Sequence, residues 1–519
     1  MKAVTAETMR SLDARTISEG VHTGMELMHA AAESAVNILV ENMVSFFRFG
    51  SRIGILTGKG NNGGDGFVMA SILESMGYGE DGGIRLFCSC DPADLTGDAR
   101  TAWEELSPQL KDSVEFDCSV EKLRQCVVLV DAMLGTGITG CPRSPVREWI
   151  GMVNESGVPV LSVDIPSGLC ADDGSVSDGC CVQSDMTVTF ALPKAGLLLG
   201  EGPRYAGRIA VTDIGIPRQW LEDAPGVIEV TGIPDIKPLF VREPFDTYKQ
   251  KRGHVLVAGG SCLYSGAPLL SACGALKTGA GLVSVAVPSE MAYMGMTLPK
   301  SLMVRRIKGD YLTAFEAIRD LAEKATAIVA GPGMGNVGEI DGFLAGLLEN
   351  TSCPLVLDAD ALNRLAVNPA LMEKVKKRQD TVILTPHSGE MMRLLGGDIA
   401  SGLSREEQVK RLVKRTGAYV VLKGPHSLVA APDGKIFYNL SGCTALATAG
   451  SGDVLSGIIA ALAGRPGVDI LLSVRAGVLI HGLTGEYTAN PPSSGRGVSA
   501  DDLLEAIVPV LRREISPFA

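Results

Sequence analysis

In the stretch ATAGSGDVLSGIIAALAG (447–464), Gly450 and Gly452 precede Asp453, and an apolar run of small residues follows at once. Backbone N–H groups at a helix start, unobstructed by side chains, can hold the charge that builds on a phosphoryl group in transfer. A carboxylate beside such an anion site can take the proton of an attacking hydroxyl. Taken alone, Asp453 serves as well as a helix N-cap. It has company, however. Lys423-Gly424, Thr385-Pro386-His387 and GPGMG (331–335) each end an apolar run upstream, and all would open on one edge of one sheet. No Walker A sequence occurs, which excludes a P-loop enzyme.

A second cluster lies in the first half. TGKGNNGGDGFVMA (57–70) follows the short apolar run RIGIL and sets Asn61, Asn62 and Asp65 among glycines. Gly58, Gly60 and Gly63 fit GxGxxG, as do Gly135, Gly137 and Gly140, but a chain with 62 glycines meets that pattern by accident. Glycines let the backbone turn sharply and approach a ligand closely. They do not explain the polar residues between them. Asn62, Asp131 and the Ser167 region come from three separate strand ends, where Asn62 and Ser167 taken singly read as turn and helix caps.

The elements that would position these residues are short apolar, β-branched runs ending in Gly, Asp or Pro, alternating with longer helical stretches. RIGILTG, CVVLVDAMLG, VPVLSVDIPSG, MTVTFAL and RIAVTDIGIP fill the first half; GHVLVAGG, AIVAGPGMG, PLVLDADALN, TVILTPH and AYVVLKG fill the second. Such alternation predicts an α/β protein, with parallel sheets covered by helices on both faces. Ligands in such sheets sit beyond the carboxyl ends of the strands, where nearly every Gly/Asp cluster of this chain falls. The pattern breaks between 217 and 245, a segment with five prolines and no clear period, and the domain boundary is expected there. SLVAAPDGKIFYNL, turning at Pro432-Asp433-Gly434, predicts an antiparallel hairpin.

At 519 residues the chain exceeds one domain, and two of about 200–280 residues are expected. Its 46% hydrophobic content supplies large cores. A net charge of −12, with no basic run, argues against a nucleic-acid or anionic-membrane partner. The N-terminus lacks the apolar core of a signal peptide, and no stretch of about 18 apolar residues suggests a membrane span. A soluble, cytoplasmic protein is expected. The twelve cysteines include no CxxC pair. Cys88 and Cys90, two apart, and the adjacent Cys180 and Cys181 have spacings unsuited to zinc, and a cytosolic location keeps such thiols reduced.

From about 245 to 515 the chain resembles the ribokinase-like fold and, within it, the carbohydrate-kinase-related dehydratases that repair hydrated NADH and NADPH. The resemblance rests on GHVLVAGGSCLYSGAPLL (253–270), LKTGAGLVSVAVP (276–288), GPGMG, DADALN (358–363), TPHSGE (385–390), LKG (422–424) and GSGD, in that order. It implies that Asp453 is catalytic, activating the hydroxyl of the hydrated nicotinamide. Ala267, Gly335 and His387 would touch the hydrated dinucleotide. Gly452 and the segment Lys423, Gly424, Pro425, His426 and Ser427 would contact ADP or ATP, with Mg2+ accompanying the nucleotide. Ser388 and Ser427 depart from the family's usual Pro and Thr.

Residues 1–220 resemble the epimerase domain often fused to that dehydratase, through KGNNGGDGFVMA (59–70), VDAMLGTGITG (130–140) and VDIPSGLCADDG (163–174). The implied architecture is a Rossmann-like three-layer αβα domain over 1–225 and a ribokinase-like αβα domain over 235–519. Asn61, Asn62, Gly63, Gly64 and Asp65 would bind substrate, together with Gly135, Thr136, Gly137, Ile138, Thr139, Gly140, Cys141 and Asp164. Asn62, Asp131 and Ser167 would converge on a potassium ion, and oxygen-only ligands do suit a hard cation. Epimerisation needs an acid/base beside the ring. Asp164 is the candidate, while Asp65, in a glycine loop, is expected to hold that loop. The expected partners are small molecules and further copies of the chain, as a homo-oligomer. A sugar or hydroxymethylpyrimidine kinase shares GSGD but does not need the GNNGGDG domain. A non-catalytic dinucleotide-binding protein would tolerate loss of Asp453 and Asp164.

Overall fold

The computed structural model describes residues 1–44, 51–78, 83–138, 140–293, 300–309, 311–489 and 495–516. The chain divides into two compact units, with the division between Glu229 and Val230. Its strands in chain order are β1 (Lys2–Ala3), β2 (Ile53–Thr57), β3 (Ile84–Cys88), β4 (Val128–Ala132), β5 (Val160–Val163), β6 (Met186–Phe190), β7 (Arg208–Thr212) and β8 (Ile228–Thr231). They continue with β9 (His254–Ala258), β10 (Leu282–Pro288), β11 (Met303–Ile307), β12 (Ala327–Ala330), β13 (Leu355–Leu357), β14 (Val382–Leu384), β15 (Tyr419–Leu422), β16 (Leu428–Ala430) and β17 (Ile436–Asn439).

In the first unit the strands run in the order β3-β2-β4-β5-β6-β7, all parallel. Alternate residues of each strand feed opposite cores, as the pleat requires. Ile53, Ile55 and Val130 pack with Leu39, Phe67 and Leu73 on one face; Leu56, Leu129 and Phe87 pack with Trp149, Ile150 and Val153 on the other. Both faces are covered, so β2, β4, β5 and β6 are buried along their whole length and read as continuous apolar runs. The chain order reverses between β2 and β4, which opens a crevice at their carboxyl ends.

The second unit repeats the plan. Parallel strands run β15-β14-β13-β12-β9-β10-β11, and β16 and β17 extend the sheet antiparallel beyond β15. The expected hairpin is present: Gly434 adopts φ +90°, and Ala431 N–H donates to the Lys435 carbonyl at 2.9 Å. Val255, Val257, Val283, Val285 and Val329 form one core with Leu455, Ile459 and Val478 of the helices Ser451–Ala463 and Ile470–Thr488. Here the order reverses between β9 and β12.

The proline-rich segment is not a bare linker. Ile233–Ile236 and Lys237–Leu239 are helical, and Ile236 and Phe240 are buried in the second unit against Val454, Ile458 and Leu462. Arg475 clasps the segment through Thr231 Oγ1 at 3.1 Å and Asp235 Oδ2 at 3.2 Å. Its short turns carry no readable period, which is why the sequence shows only prolines there. No helix among the described residues is long and apolar enough to cross a membrane.

Candidate active sites

In the first unit, β2 leads through Gly58 and Gly60 into the helix Asn61–Leu73, so the asparagines and Asp65 lie on its first turns rather than in a loop. Gly60 is the N-cap and carries no side chain to cap with, which leaves the first-turn N–H groups of Asn61 and Asn62 without intrahelical partners. Most of the surrounding glycines are needed by the chain itself. A Cβ on Gly58 would stand 1.9 Å from the Met133 carbonyl oxygen, and one on Gly63 the same distance from that of Gly58. Among the glycines of these two motifs, Gly60, Gly137 and Gly140 face open space on every side. The expectation that the glycines let a ligand approach closely therefore narrows to those three positions.

Asn62, Asp131 and Ser167 do come together. Asp131 is fully buried, and its carboxylate accepts from Ser167 N–H (2.8 Å), Ser167 Oγ (2.5 Å), Ser162 Oγ (2.8 Å) and Met133 N–H (3.3 Å). Among the described residues it has no ion-pair partner, and burial pushes its pKa up against those hydrogen bonds. Leu134 N–H donates to Ser167 Oγ at 2.9 Å, and Asn62 Nδ2 donates to the Leu134 carbonyl at 2.9 Å. Asn62 Oδ1 is buried with no hydrogen-bond partner. Neither Asn62 nor Ser167 caps its neighbouring helix or turn, so the capping reading fails for both. Gly135 lies directly over Asn62, and Thr136, Ile138 and Cys141 are partly exposed in the same turn, with Gly137 and Gly140 exposed. Thr139 lies outside the described residues.

Asp164 stands at the end of β5 with φ +65°, a strained conformation for a side-chain-bearing residue. Its carboxylate is ion-paired with Lys194, whose side chain is 1% exposed and also donates to Thr189 Oγ1 (3.1 Å) and the Phe190 carbonyl (3.2 Å). Asp65 and Asp13 complete the cluster. Burial first, then the charges of Asp164 and Asp13, raise the Asp65 pKa well above the ordinary value. Burial, partly offset by Lys194, lifts Asp13 to about 6. Asp65 thus lies on the helix Asn61–Leu73 within reach of the charges of Asp164 and Asp13, rather than in a loop. Lys194 and Asp13 were missed in the sequence. The signal for Lys194 was one cation inside the apolar run MTVTFALPKAGLLLG; Asp13, on an ordinary amphipathic helix, gave none.

In the second unit, the carboxyl ends of four adjacent parallel strands converge: β12 into Gly331–Gly335, β13 into Asp358, β14 into His387 and β15 into Lys423. The helix Ser451–Ala463 begins over them. Gly450 is its N-cap in the left-handed region at φ +88°, where a Cβ would press on Leu270 at 2.4 Å. Asp453 is the third helical residue, so it is not the cap. A Cβ at Gly452 would lie 3.2 Å from Lys423 Nζ and 3.9 Å from Asp358 Oδ2, which fixes the helix start against that pair.

Lys423 Nζ donates to Asp358 Oδ1 at 2.8 Å and stands 3.9 Å from Glu390 Oε2. Burial opposes its charge, yet Asp358 and Glu390 outweigh burial and hold its pKa above the ordinary value. Asp453, left without the lysine, is raised to about 7 by burial and then by the charge of Asp358. Glu390 is also raised, by burial first.

His387 caps the helix Ser388–Leu395, with Nδ1 accepting from Gly389 N–H at 3.0 Å, and burial with Lys423 nearby lowers its pKa. Ala267 opens the helix Ala267–Lys277 and meets the GPGMG loop, since a Cβ on Gly333 would lie 3.1 Å from its own. Gly335 N–H donates to Asp360 Oδ2 at 2.8 Å. Gly424, Pro425, His426 and Ser427 form a tight turn, in which Ser427 Oγ donates to the Gly424 carbonyl at 3.1 Å. His426 Nε2 and Ser261 Oγ, the latter just beyond β9, are buried without partners. Asp358, Glu390 and Ser261 lay inside recognised motifs without a role being read for them.

Residues 255–509 match the family described as NAD(P)H-hydrate dehydratase, and residues 24–196 match the one described as YjeF-related protein N-terminus. The bifunctional NAD(P)H-hydrate repair enzyme of Thermofilum pendens is 35% identical to this chain, over 94% of this chain and 92% of its own. That of Moorella thermoacetica is 35% identical over 99% and 97%, and that of Escherichia coli 33% identical over 89% and 85%. Among solved structures, an ADP/ATP-dependent NAD(P)H-hydrate dehydratase from Bacillus subtilis, co-crystallised with ATP and Mg2+, matches 55% of this chain and 99% of its own at 26% identity and a TM-score of 0.47.

Proposed function

We propose, from the premise that this chain belongs to the family of bifunctional NAD(P)H-hydrate repair enzymes, how its two clusters divide the work. The first unit interconverts the R and S hydrates of NADH and NADPH. The second returns the S hydrate to the reduced nicotinamide, driven by ADP or ATP with its Mg2+. The observation that carries the reading is Asp453, lifted to about pKa 7 beside a helix N-terminus and a half-buried lysine. A base poised near neutrality is what proton transfer from a hydroxyl requires.

In this mechanism the first-turn N–H groups of the helix Ser451–Ala463 and the Lys423 ammonium hold the transferring phosphoryl group. Asp453 takes the proton of the hydrate's hydroxyl as its oxygen bonds to phosphorus and the bond to the departing nucleotide breaks. The phosphate then leaves with the C–O electron pair, the ring nitrogen supplies electrons, and loss of a ring proton completes the double bond. Ala267, Gly335 and His387 line the approach for the hydrated ring, and Gly424–Ser427 with Gly452 hold the nucleotide.

In the first unit Asp164, ion-paired with Lys194, serves as base, and Asp13 or Asp65 holds the proton that is returned. The first site offers oxygen donors for a metal ion. Asn62 Oδ1 is an oxygen donor without a partner, and the Asp131 carboxylate is buried without a counter-charge. Both fit a potassium ion held by Asn62, Asp131 and Ser167. It would supply a fixed positive charge beside the substrate's phosphates.

Incubation of hydrated NADH with ADP or ATP and Mg2+, followed by reduced-nicotinamide absorbance, tests the whole reading. Recovery is expected with either epimer. Absence of any nucleotide-dependent recovery would remove the second unit's assignment.

A further inference from the structure

Cys88 closes β3 and Cys90 stands two residues on, at the carboxyl edge of the first unit's sheet. Neither has a part in the chemistry above. Their sulfurs lie 3.7 Å apart, and Cys88 Sγ also reaches the Cys90 carbonyl oxygen at 3.3 Å. Both line an open cleft of about 530 Å3 completed by Ser89, Asp91, Pro92 and Phe116. Cys88 is buried and Cys90 half-buried, so the pair has one inner sulfur and one reachable from the cleft. Ser89 anchors the turn between them, donating its N–H and Oγ–H to the Thr57 carbonyl at 3.0 and 2.9 Å.

Two thiols in contact share their protons unequally. The hydrogen bond from Cys90, ahead of the opposing push of burial, brings Cys88 down to about 6, and the remaining proton is correspondingly hard to remove from Cys90. The charge therefore prefers the inner sulfur, and passage of the Cys90 proton to Cys88 across this 3.7 Å contact places it on the outer sulfur for attack. A thiolate in an accessible cleft with a second thiol within reach is the arrangement that thiol–disulfide exchange needs.

We propose that Cys88 and Cys90 form a dithiol site that reacts with low-molecular-weight disulfides and closes to an intramolecular disulfide. The outer Cys90 thiolate attacks one sulfur of the disulfide R–S–S–R, whose S–S bond breaks as RS⁻ leaves and takes up a proton. Cys88 then gives up its proton and attacks Cys90 Sγ of the mixed disulfide, expelling the second RS⁻, which is protonated in turn. The small disulfide is the oxidant and is reduced to two thiols, while two cysteine thiols become one S–S bond. Closure shortens the sulfur separation to about 2.05 Å. The only formal charge among the lining residues is the Asp91 carboxylate, so a neutral disulfide suits the cleft better than an anionic one.

The full-length chain, treated with 2-hydroxyethyl disulfide, acid-quenched, alkylated in denaturant and digested with trypsin, gives the test. Both cysteines fall on the peptide 86–100. Mass spectrometry should find that peptide two hydrogens lighter and unalkylated, with both alkyl groups restored after dithiothreitol. Cys88→Ser should stop at the hydroxyethyl adduct on Cys90, and Cys90→Ser should leave Cys88 unmodified before unfolding. A wild-type peptide that still takes two alkyl groups, or that holds a stable hydroxyethyl adduct, overturns the proposal without reference to either variant.

Discussion

Each unit sets one lysine among carboxylates at the carboxyl edge of a parallel sheet, and the two differ in which carboxylate the lysine takes. Lys194 pairs with Asp164, and the acids whose pKa is raised are the unpaired Asp13 and Asp65. Lys423 pairs with Asp358, and the unpaired group is Asp453 itself, lifted to about 7. Burial makes every carboxylate in such a cluster costly to ionise, and one ammonium can relieve only its neighbours. The lysine therefore sorts the acids into those it pairs with and those whose pKa burial raises. By this logic the second site works through the acid its lysine leaves free. The first works through a lysine-paired base and a separate proton donor.

The largest test of that difference is Asp453→Asn. Turnover of the S hydrate should fall by about 10²-fold or more, the scale of a lost general base, while nucleotide still binds. Near-normal turnover would take Asp453 out of the mechanism and with it the contrast between the sites.

Lys194→Met probes the other side. The change leaves Asp164 without its counter-charge, and breaking a buried pair in this way costs about 3–5 kcal/mol. Denaturant unfolding should show a loss of that order, and epimerisation should fall steeply. A variant as stable as the parent would mean that the pair does not set the charge state of the cluster.

Much of this was legible in the sequence. All ten strand runs read from the chain are strands, because fully buried parallel strands are continuous apolar runs closed by Gly, Asp or Pro. The α/β fold class follows from their alternation with helices. Met303–Ile307 was illegible: it is an edge strand with Met303, Val304 and Arg306 exposed, and nothing in MVRRI reads as apolar-run or clean alternation. At the sites, residues that immediately follow strands could be found, since glycine and aspartate mark strand ends. Lys194 and Asp13 could not, because their meaning lies in proximity to Asp164, far from both in sequence order or hidden on an ordinary helix face. Cys88 and Cys90 were visible only as a spacing, and the shared cleft needed the third dimension.

As a base, Asp453 must be ionised, so kcat/KM for dehydration should rise as pH climbs through about 7 and level above it. In the fold its pKa lies above the unfolded value, so its contribution to stability is present below about pH 4 and lost as pH rises through about 7. Asp453→Asn should accordingly melt higher than the parent at pH 8 and no higher at pH 4. Equal melting at both would show that Asp453 is not held protonated.

Asp131→Asn removes the buried charge while keeping the shape that Ser162 and Ser167 embrace. If the first site holds potassium, epimerisation by the parent should be faster in potassium chloride than in choline chloride, and the variant should lose that difference. A crystal grown in potassium salt should show the ion only in the parent. Equal rates for the parent in the two salts would refute the site.

The smallest effect expected is from separating the two halves. No motif of either cluster crosses the division at Glu229 and Val230, and each unit has its own run of parallel strands and its own cores. A fragment of residues 230–519 should therefore fold, dehydrate the S hydrate at the parent's rate and leave the R hydrate untouched. Adding a fragment of residues 1–229 should restore consumption of the R form, since the hydrate can diffuse between them. Where the cut falls matters more than that there is one. Beginning at residue 245 instead discards Ile236 and Phe240, both buried against Val454, Ile458 and Leu462, and emptying such positions costs about 2–5 kcal/mol each. The 245–519 fragment should thus unfold at distinctly lower denaturant than 230–519 while dehydrating the same epimer. If 230–519 consumes both epimers equally fast, beyond spontaneous interconversion, then the Lys194 cluster is not the epimerase and the contrast between the two lysines loses its functional meaning.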